Sequence, residues 1–492
     1  MLTREKYDKQ RAVAERLMKW VDGLLPTVYN AELVRIAQRY ITIFATGYWS
    51  APAVERFYRK IADAYHVNMS QTYEPNTCLI VTNDIGPTGG HARVIERWIA
   101  ADKARKYSIA FTSNYLMPPE KTCKIVEHSG GKLYWVKGND IEKGLELRQI
   151  ASSFECVLLV PLPKDVEHVI AFGTKDFNRP VGFYNTADHI AWIGISVADK
   201  IADMRSWGQA ISFKHRGYSD SMIVPIPVEN SAVALPSKLE SRRILGLEAD
   251  AKYLVTTARE LKFTSVNGKT FPSRVDRLLE IVPDLVIIAL GIRPGVFKDW
   301  AEFENKWQSR FRALGPVPHS EFLLYQRAAD LVMDSYPGES LTVMADAVFC
   351  GTPILSHSNS ADWIVGSNAS VADNDKFTEL AVKLLNSPEF AAHFSSETAK
   401  VLSSYAGARA FANRQSAFMQ ELVNTRKHLP RDYSSTPMEF GQEECARSVA
   451  ETGRFCERFT SRLIAYRPTF LFGFLALLVK KIALRILKQE CF

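Results

Sequence analysis

Short, nearly continuous apolar runs recur through this chain and are separated by segments with the periodicity of amphipathic helices. In the first half the runs are Cys78–Thr82, Tyr107–Thr112, Lys132–Val136, Cys156–Val160, Val181–Tyr184 and Ile190–Gly194. In the second half they are Tyr253–Thr257, Asp284–Ala289, Phe311–Leu314, Leu331–Met333 and Pro353–Leu355. Strands that are buried on both faces and joined by crossover helices have this pattern, so the sequence predicts an α/β fold with parallel sheets.

The chain has 492 residues, more than one hydrophobic core organises when domains run to about 100–200 residues. Pro227 and Pro236 frame a segment of mostly small residues between the two groups of runs. We therefore expect two doubly wound domains, residues 71–230 and 239–430, whose strand ends face each other across a cleft. Residues 1–70 have helical spacing and predict a helical N-terminal extension, and residues 460–492 form a separate tail.

Composition favours a globular protein of a reducing compartment. The chain is 47% hydrophobic and 23% charged, which excludes a disordered protein and a multi-span membrane protein. Its seven cysteines are scattered without CxxC spacing, so neither a disulfide framework nor a zinc site is expected. The basic N-terminus lacks the apolar core of a secretory signal. These features predict a cytoplasmic protein.

The C-terminal tail is apolar and basic. Its apolar run, residues 470–479, is shorter than the ~20 residues that span a bilayer. The basic residues that follow fall on one side of a helix, which predicts an amphipathic helix, residues 470–492, on an anionic membrane surface. The alternative is a helix docked on its own domain. Residues 462–492 carry +5 of the formal charge of +7, and nucleic-acid motifs are missing from the sequence, so no nucleic-acid partner is expected.

Residues 334–355 combine a small-residue turn, a helical segment and the next apolar run. A helix N-terminus offers unpaired N–H groups and the positive end of its dipole, so this turn is suited to a diphosphate. Asp346, one helical turn further, is placed to accept a hydrogen bond from a ribose hydroxyl. The predicted donor-binding residues of this nucleotide-sugar site include Gly338, Glu339, Ser340, Leu341, Thr342 and Asp346.

Asp346 stands five positions before Gly351 of a Cys-Gly-Thr-Pro turn, and this spacing resembles the donor-site signature of GT-B glycosyltransferases. The resemblance extends over residues 77–425 and implies two Rossmann-like domains facing a cleft. Family-four enzymes have a glutamate at each end of this segment, whereas here the first acid is Glu339, one position out of register. An aspartate at the second position is nearer to the O-GlcNAc-transferase-like families, which leaves the retaining or inverting outcome open. Residues 315–325 also resemble the stretch before this motif, which implies that Pro318 lies near the base; the alternative is an ordinary connection whose helix is capped by Ser320.

Two turns of the first domain are candidate acceptor sites. Gly89, Gly90 and His91 follow the first apolar run and resemble a Gly-Gly-His-Ala-Arg turn of family-four-like enzymes, which faces acceptor and diphosphate; the alternative is an ordinary strand-to-helix turn. Asp188 and His189 resemble the His-Ala-Asp-His stretch of some bacterial glycosyltransferases. A histidine beside a carboxylate can polarise an acceptor hydroxyl or hydrogen-bond within the fold, so both roles remain open.

Arg259 and Lys262 follow the first strand of the second domain. Cations there can neutralise the charge on a departing nucleoside diphosphate, as the Arg/Lys pair of GT-B enzymes does, or they are ordinary surface charges. Lys262 comes earlier than the spacing of that pair, and Lys269 is its substitute. Asp373 and Asp375 form a DxD string, but they precede a helix, so capping is expected and no metal is predicted. The nucleotide sugar is a co-substrate, and no cofactor is expected.

The resemblance implies a glycosyltransferase, and the tail predicts that it is attached peripherally to the inner face of the cell membrane. It would transfer a sugar from a nucleoside-diphosphate sugar to a hydroxyl of a glycan or glycolipid acceptor in bacterial cell-surface polysaccharide or lipopolysaccharide synthesis. The same fold also serves nucleotide-sugar 2-epimerases, and a catalytically silent GT-B scaffold protein is the third alternative.

Overall fold

Two parallel sheets organise the molecule, one of seven strands and one of five. The computed structural model describes residues 4–86, 90–113, 116–160, 165–226, 228, 235–263, 270–357, 366–425 and 428–440. Helices cover both sheets, so the predicted fold class, α/β with two doubly wound domains, is confirmed. The tail, residues 460–492, lies outside the described residues.

The first sheet has the strand order β3-β2-β1-β4-β5-β6-β7. Its strands are β1 (Glu74–Thr82), β2 (Lys106–Phe111), β3 (Leu133–Trp135), β4 (Phe154–Leu159), β5 (Val181–Asn185), β6 (Lys200–Asp203) and β7 (Ser221–Ile223). The helices between them are α4 (Gly90–Ala101), α5 (Glu120–His128), α6 (Asp140–Ala151), α7 (Glu167–Phe172) and α8 (Ser206–Lys214). Every neighbouring pair of strands is parallel, which places the loops after the strands along one edge.

The second sheet has the order β10-β9-β8-β11-β12 and is also parallel. Its strands are β8 (Lys252–Thr257), β9 (Leu285–Leu290), β10 (Phe311–Gly315), β11 (Leu331–Met333) and β12 (Ile354–Leu355). Its helices are α9 (Lys238–Ile244), α10 (Phe271–Ile281), α11 (Lys298–Trp307), α12 (His319–Ala328), α13 (Leu341–Phe349), α14 (Asn374–Asn386) and α15 (Pro388–Ala406). The strand order reverses direction between β8 and β11, where open α/β sheets bind ligands.

The strand prediction at Ile190–Gly194 is wrong. This segment is irregular and leads into a short 3-10 helix, Ile195–Val197. Its apolar character has another cause, because Trp192 is buried and stacks on Phe183 with ring centroids 4.0 Å apart. Gly194 has a φ of +126°, which interrupts an extended chain. Strands β6 and β7 come later in the chain.

The first residues are helical as predicted, but they do not form an extension. Helices α1 (Arg4–Asp22), α2 (Val28–Ile43) and α3 (Pro52–Ala64) share one hydrophobic core with the first sheet. The buried Glu55 carboxylate on α3 accepts hydrogen bonds from the backbone N–H groups of Gly194 and Ser196, both at 2.8 Å. These helices are therefore a layer of the first domain.

The last described helix, α16 (Ala408–Val423), packs on the first sheet. Gln415 donates a hydrogen bond to the carbonyl of Trp98 at 2.7 Å, and the ring of Phe418 lies edge-on to Trp98. The segment 428–440 continues to α1, where the Tyr7 hydroxyl bonds the Met438 carbonyl. The predicted second domain, residues 239–430, included this helix, and the structure corrects its end to about Gly407. Helical periodicity alone does not specify which sheet an apolar face covers.

Candidate functional site

A loop between β11 and α13, residues 334–340, is wrapped around a buried carboxylate; we refer to it as the donor loop. Oδ1 of Asp334 accepts hydrogen bonds from the backbone N–H groups of Ser335 at 2.8 Å and Ser340 at 2.9 Å. The hydroxyls of Ser335 and Ser340 lie 3.0 Å apart. These bonds fix the approach to the N-terminus of α13, where the first N–H groups of a helix have no intrahelical partner.

Lys262 lies against the donor loop. Its carbonyl accepts a hydrogen bond from the N–H of Gly338 at 2.9 Å, and its ammonium group bonds the carbonyl of Glu339. A Cβ atom at position 338 would lie 3.0 Å from the Lys262 carbonyl oxygen, so the close approach favours glycine. Arg259 also follows β8 and has an exposed side chain, and Lys269 lies outside the described residues. Of the predicted cations, the structure brings Lys262 to the donor loop.

Arg205 joins the donor loop to the first domain, and sequence reasoning missed it. Its guanidinium bonds both carboxylate oxygens of Asp188, with Nε–Oδ2 2.6 Å and Nη2–Oδ1 3.1 Å. Its Nη1 donates to Oε2 of Glu339 at 2.8 Å. The three side chains are only 2%, 0% and 7% exposed, in the order Arg205, Asp188, Glu339. Arg205 follows β6, a strand that the sequence did not reveal.

The ion pair decides the protonation of Asp188. Burial alone would raise the pKa of this carboxyl, but the charge of Arg205 and hydrogen bonds from His189 and Arg205 outweigh it and hold the pKa well below its usual range. Burial would lower the pKa of Arg205, and its two carboxylates raise it instead. Asp188 therefore stays ionised, with both of its oxygens bonded to Arg205. This arrangement suits a structural role better than the role of a proton acceptor.

His189 stands beside this ion pair. Its Nδ1 lies 3.5 Å from Oδ1 of Asp188, and the side chain is 33% exposed. Arg216 holds the backbone of this turn, because its Nη2 donates to the carbonyls of Asp188 and Ile190, both at 2.9 Å. Burial lowers the pKa of Arg216 to about 10. The partly exposed imidazole is thus held on a fixed turn.

Asp334 titrates in an unusual range. Burial is the main cause that raises its pKa from 3.8 to about 7, and the nearby charge of Glu339 adds to the rise. The hydrogen bonds that it accepts from backbone N–H groups and the charge of Lys262 oppose this rise in pKa. The carboxyl group that holds the donor loop therefore changes charge near neutral pH.

The predicted glycine turn is described in part. Gly89 lies outside the described residues, and Gly90 begins α4. Nε2 of His91 lies 2.8 Å from the hydroxyl oxygen of Thr82, at the end of β1. Burial lowers the pKa of His91 to about 4, so the imidazole is neutral at physiological pH. The structure places His91 in a hydrogen bond to the first sheet.

The remaining predicted residues lie on or near α13. Leu341 and Thr342 form its first turn, and their side chains are not among the described ones. Asp346 is partly buried on the same helix. Burial of the Cys350 thiol, and after it the nearby charge of Asp346, raise the pKa of that thiol to about 12. Pro318 is exposed and immediately precedes α12.

His357, two residues after the end of β12, is a second residue that the sequence did not single out. It is 7% exposed, and neither ring nitrogen has a hydrogen-bond partner among the described residues. Its ring stacks on Phe377 with centroids 3.7 Å apart and lies 5.0 Å from the ring of Tyr336 in the donor loop. Burial, together with the charge of Arg274, holds its pKa well below the usual range.

The described residues contain no group of three His, Cys, Asp or Glu side chains arranged to hold a metal ion. The DxD string has the expected capping role, since the Asp373 side chain accepts from the N–H of Lys376 at the start of α14. Asp375 forms an exposed ion pair with Arg277. Among the described residues, no helix is both long and apolar enough to span a membrane.

Several solved structures share this architecture. HepE of Anabaena, solved in complex with UDP, has a TM-score of 0.54 at 13% identity, covering 70% of this chain and 100% of HepE. A variant of the Thermobaculum terrenum O-GlcNAc transferase has a TM-score of 0.53 at 13% identity, covering 85% and 82%. A Rickettsia africae glycosyltransferase has a TM-score of 0.54 at 11% identity, covering 72% and 100%.

No family model matches the sequence, and no curated protein matches it. The structural likeness identifies the GT-B fold, as the donor motif implied.

Proposed function

We propose that this chain is a glycosyltransferase that transfers a sugar from a nucleoside-diphosphate sugar to an acceptor hydroxyl. The observation that carries the proposal is the donor loop, which the buried Asp334 holds in place at the N-terminus of α13. A helix N-terminus preceded by a fixed loop of small residues is suited to bind a diphosphate. The GT-B fold, seen with UDP in HepE, supports the same assignment.

In this proposal the diphosphate lies against the backbone of residues 340–342. Lys262 lies at the same loop and supplies positive charge as the sugar–phosphate bond breaks. Arg259, which also follows β8, is exposed and is the second cation. Asp346 accepts from the ribose, and Pro318 lies near the base.

The acceptor side is formed by His189 and the turn of Gly89, Gly90 and His91. In the transfer step the acceptor oxygen bonds the sugar C1, the C1–O bond to the diphosphate breaks, and the hydroxyl proton leaves to a base. His189 is the candidate base, because it is partly exposed and next to an ionised carboxylate. Asp188 orients the His189 ring, since Arg205 bonds both carboxylate oxygens of Asp188.

The acceptor is proposed to be a glycolipid or polysaccharide of the cell surface. The basic, apolar composition of residues 470–492 supports attachment to an anionic membrane at the inner face. A peripheral enzyme there would meet lipid-linked acceptors.

Calorimetric titration with UDP, GDP, CDP and ADP tests the donor site. We expect one diphosphate to bind and Asp346→Ala to weaken it about tenfold, the loss of a hydrogen bond to a charged group. Asp375→Ala, which removes an exposed carboxylate of the same domain, is the matched control and should bind as the unmodified chain does.

Binding of none of the four nucleotides would contradict the proposal and favour the silent scaffold. Conversion of the sugar nucleotide without any acceptor would identify an epimerase instead.

A further inference from the structure

We propose that Arg205 is a positioning residue that neutralises Glu339 and thereby lets the donor loop accept a diphosphate. The inference rests on the proposed function and extends it to a residue outside the donor motif. Arg205 belongs to the first domain and Glu339 to the second, so the contact joins the two halves of the site.

The geometry requires a guanidinium. Two of its donors, Nε and Nη2, bond the two oxygens of Asp188, and Nη1 is directed to Glu339. A planar group with donors on several edges can bond both carboxylates at once, whereas a lysine ammonium is a point charge on a flexible stem. The ring of Trp207 lies 4.8 Å from the guanidinium carbon and covers it. Arg205 is therefore fixed between the two domains.

The charge of Glu339 explains why the site needs this arginine. Glu339 is two residues before α13, the helix whose N-terminus is the proposed diphosphate site. An uncompensated carboxylate there would repel a diphosphate, and its 7% exposure leaves little water to screen it. Lys262 bonds the Glu339 carbonyl, so the carboxylate itself is neutralised from the other domain.

A purely structural role and a neutralising role predict different binding profiles. Loss of structure would weaken every ligand of the site, whereas an exposed negative charge acts on the diphosphate and spares an uncharged nucleoside. We would therefore titrate UDP and uridine, as probes, into the unmodified chain and into Arg205→Met. We expect the Kd for UDP to rise about tenfold or more, as for truncation of one partner of a buried charge pair, while the Kd for uridine changes less than about threefold.

Rescue of binding is the decisive arm. Adding Glu339→Gln to Arg205→Met removes the repelling charge, so UDP affinity should recover most of its loss. Glu339→Gln alone keeps an oxygen that accepts from Arg205 and removes the negative charge beside the diphosphate, so its Kd for UDP should fall below that of the unmodified chain, and a rise would contradict the inference. This single variant also tests the inference if Arg205→Met does not fold.

Arg216→Met is the matched control, because Arg216 is also a fully buried arginine that holds residues 188–190, but its bonds go to backbone carbonyls of the first domain. It should lower stability and leave the ratio of UDP to uridine affinity unchanged. Equal losses for UDP and uridine in Arg205→Met, or no rescue by Glu339→Gln, would overturn the inference while leaving the proposed function intact.

Should the unmodified chain bind no nucleotide, the proposed function fails by itself. Hydrogen exchange at the Gly338 and Ser340 amides then still measures whether Arg205→Met loosens the donor loop. Faster exchange there supports the positioning role, and unchanged exchange contradicts it.

Discussion

Asp334 shows how one buried carboxyl group can support a loop and make it sensitive to pH. It accepts two backbone N–H groups, which favours its ionised form, yet burial and Glu339 raise its pKa to about 7. Because the folded-state pKa lies above the ordinary value of 3.8, the folded protein binds this proton more tightly than the unfolded chain. The contribution of Asp334 to stability is therefore greatest below pH 4 and declines as pH rises towards 7.

Asp334→Asn should remove this pH dependence. The amide oxygen can accept the same N–H groups, and the side chain no longer titrates. We expect the unmodified chain to lose free energy of unfolding relative to the variant between pH 5 and 7, by about 1.4 kcal/mol for each pH unit. Urea unfolding of both proteins at several pH values measures the difference. Parallel pH profiles would show that Asp334 does not titrate in this range.

His357 leads to a prediction of the opposite kind, a stabilising substitution. A buried polar group without a partner costs about 1–3 kcal/mol, and both ring nitrogens of His357 are in that condition. His357→Phe keeps the stacking on Phe377 and removes the polar atoms, so we expect the free energy of unfolding to rise by on the order of 1 kcal/mol. His168→Phe is the control and should destabilise, since His168 lies 3.0 Å from the Ile193 carbonyl oxygen. A loss of stability in His357→Phe would contradict the prediction.

Among the elements, α16 determines where the second domain ends. It lies directly over β5, where a Cβ atom on Gly182 would be 2.8 Å from Cδ2 of Leu422 and 3.2 Å from the ring of Phe418. Gly182→Ala should therefore overpack this contact and cost about 1–3 kcal/mol in urea unfolding. Leu422→Val in the same chain should restore part of the loss if α16 is the neighbour.

Gly23→Ala provides the comparison, because position 23 has only an ordinary contact at 3.5 Å and should tolerate a methyl group. Equal effects of the two glycine substitutions would contradict the packing of α16 on β5.

The sequence predicted elements with strong local signals and missed those that depend on distant neighbours. Strands such as Cys156–Val160 are apolar on both faces, so their pattern reveals them, whereas β6 (Lys200–Asp203) is short and partly charged. The donor loop was recognisable from its small residues and the helix behind it. Arg205 was not, because its contact with Glu339 forms only when the two domains meet.

At the scale of the whole molecule, the chain crosses from the first sheet to the second and returns. The outgoing and returning segments meet where the N–H of Val228 bonds the carbonyl of Ala406 at 3.2 Å. The Arg205–Glu339 ion pair joins the same two halves at the candidate site. The backbone crossing and the ion pair thus link the domains at separate places, so a substitution at Arg205 can alter the site without disconnecting the domains.

Membrane attachment is the prediction that concerns the whole chain. Residues 470–492 come after the described segment 428–440. The Met438 carbonyl of that segment bonds Tyr7 of α1, and the Thr436 carbonyl bonds His215, just after α8. We expect the full chain to sediment with vesicles that contain anionic lipid, and a chain ending at residue 469 to remain in the supernatant, because the apolar run and basic residues act together.

Two controls identify the cause of the sedimentation. High salt should release the full chain from anionic vesicles, and neutral vesicles should retain less of it, since the cationic side chains act through screened charge. Replacing Lys480, Lys481, Arg485 and Lys488 by Gln should reproduce the salt effect at low ionic strength. A truncated chain that still sediments would place the membrane contact on the folded domains, whereas a full chain that never sediments would favour a tail helix docked on its own domain.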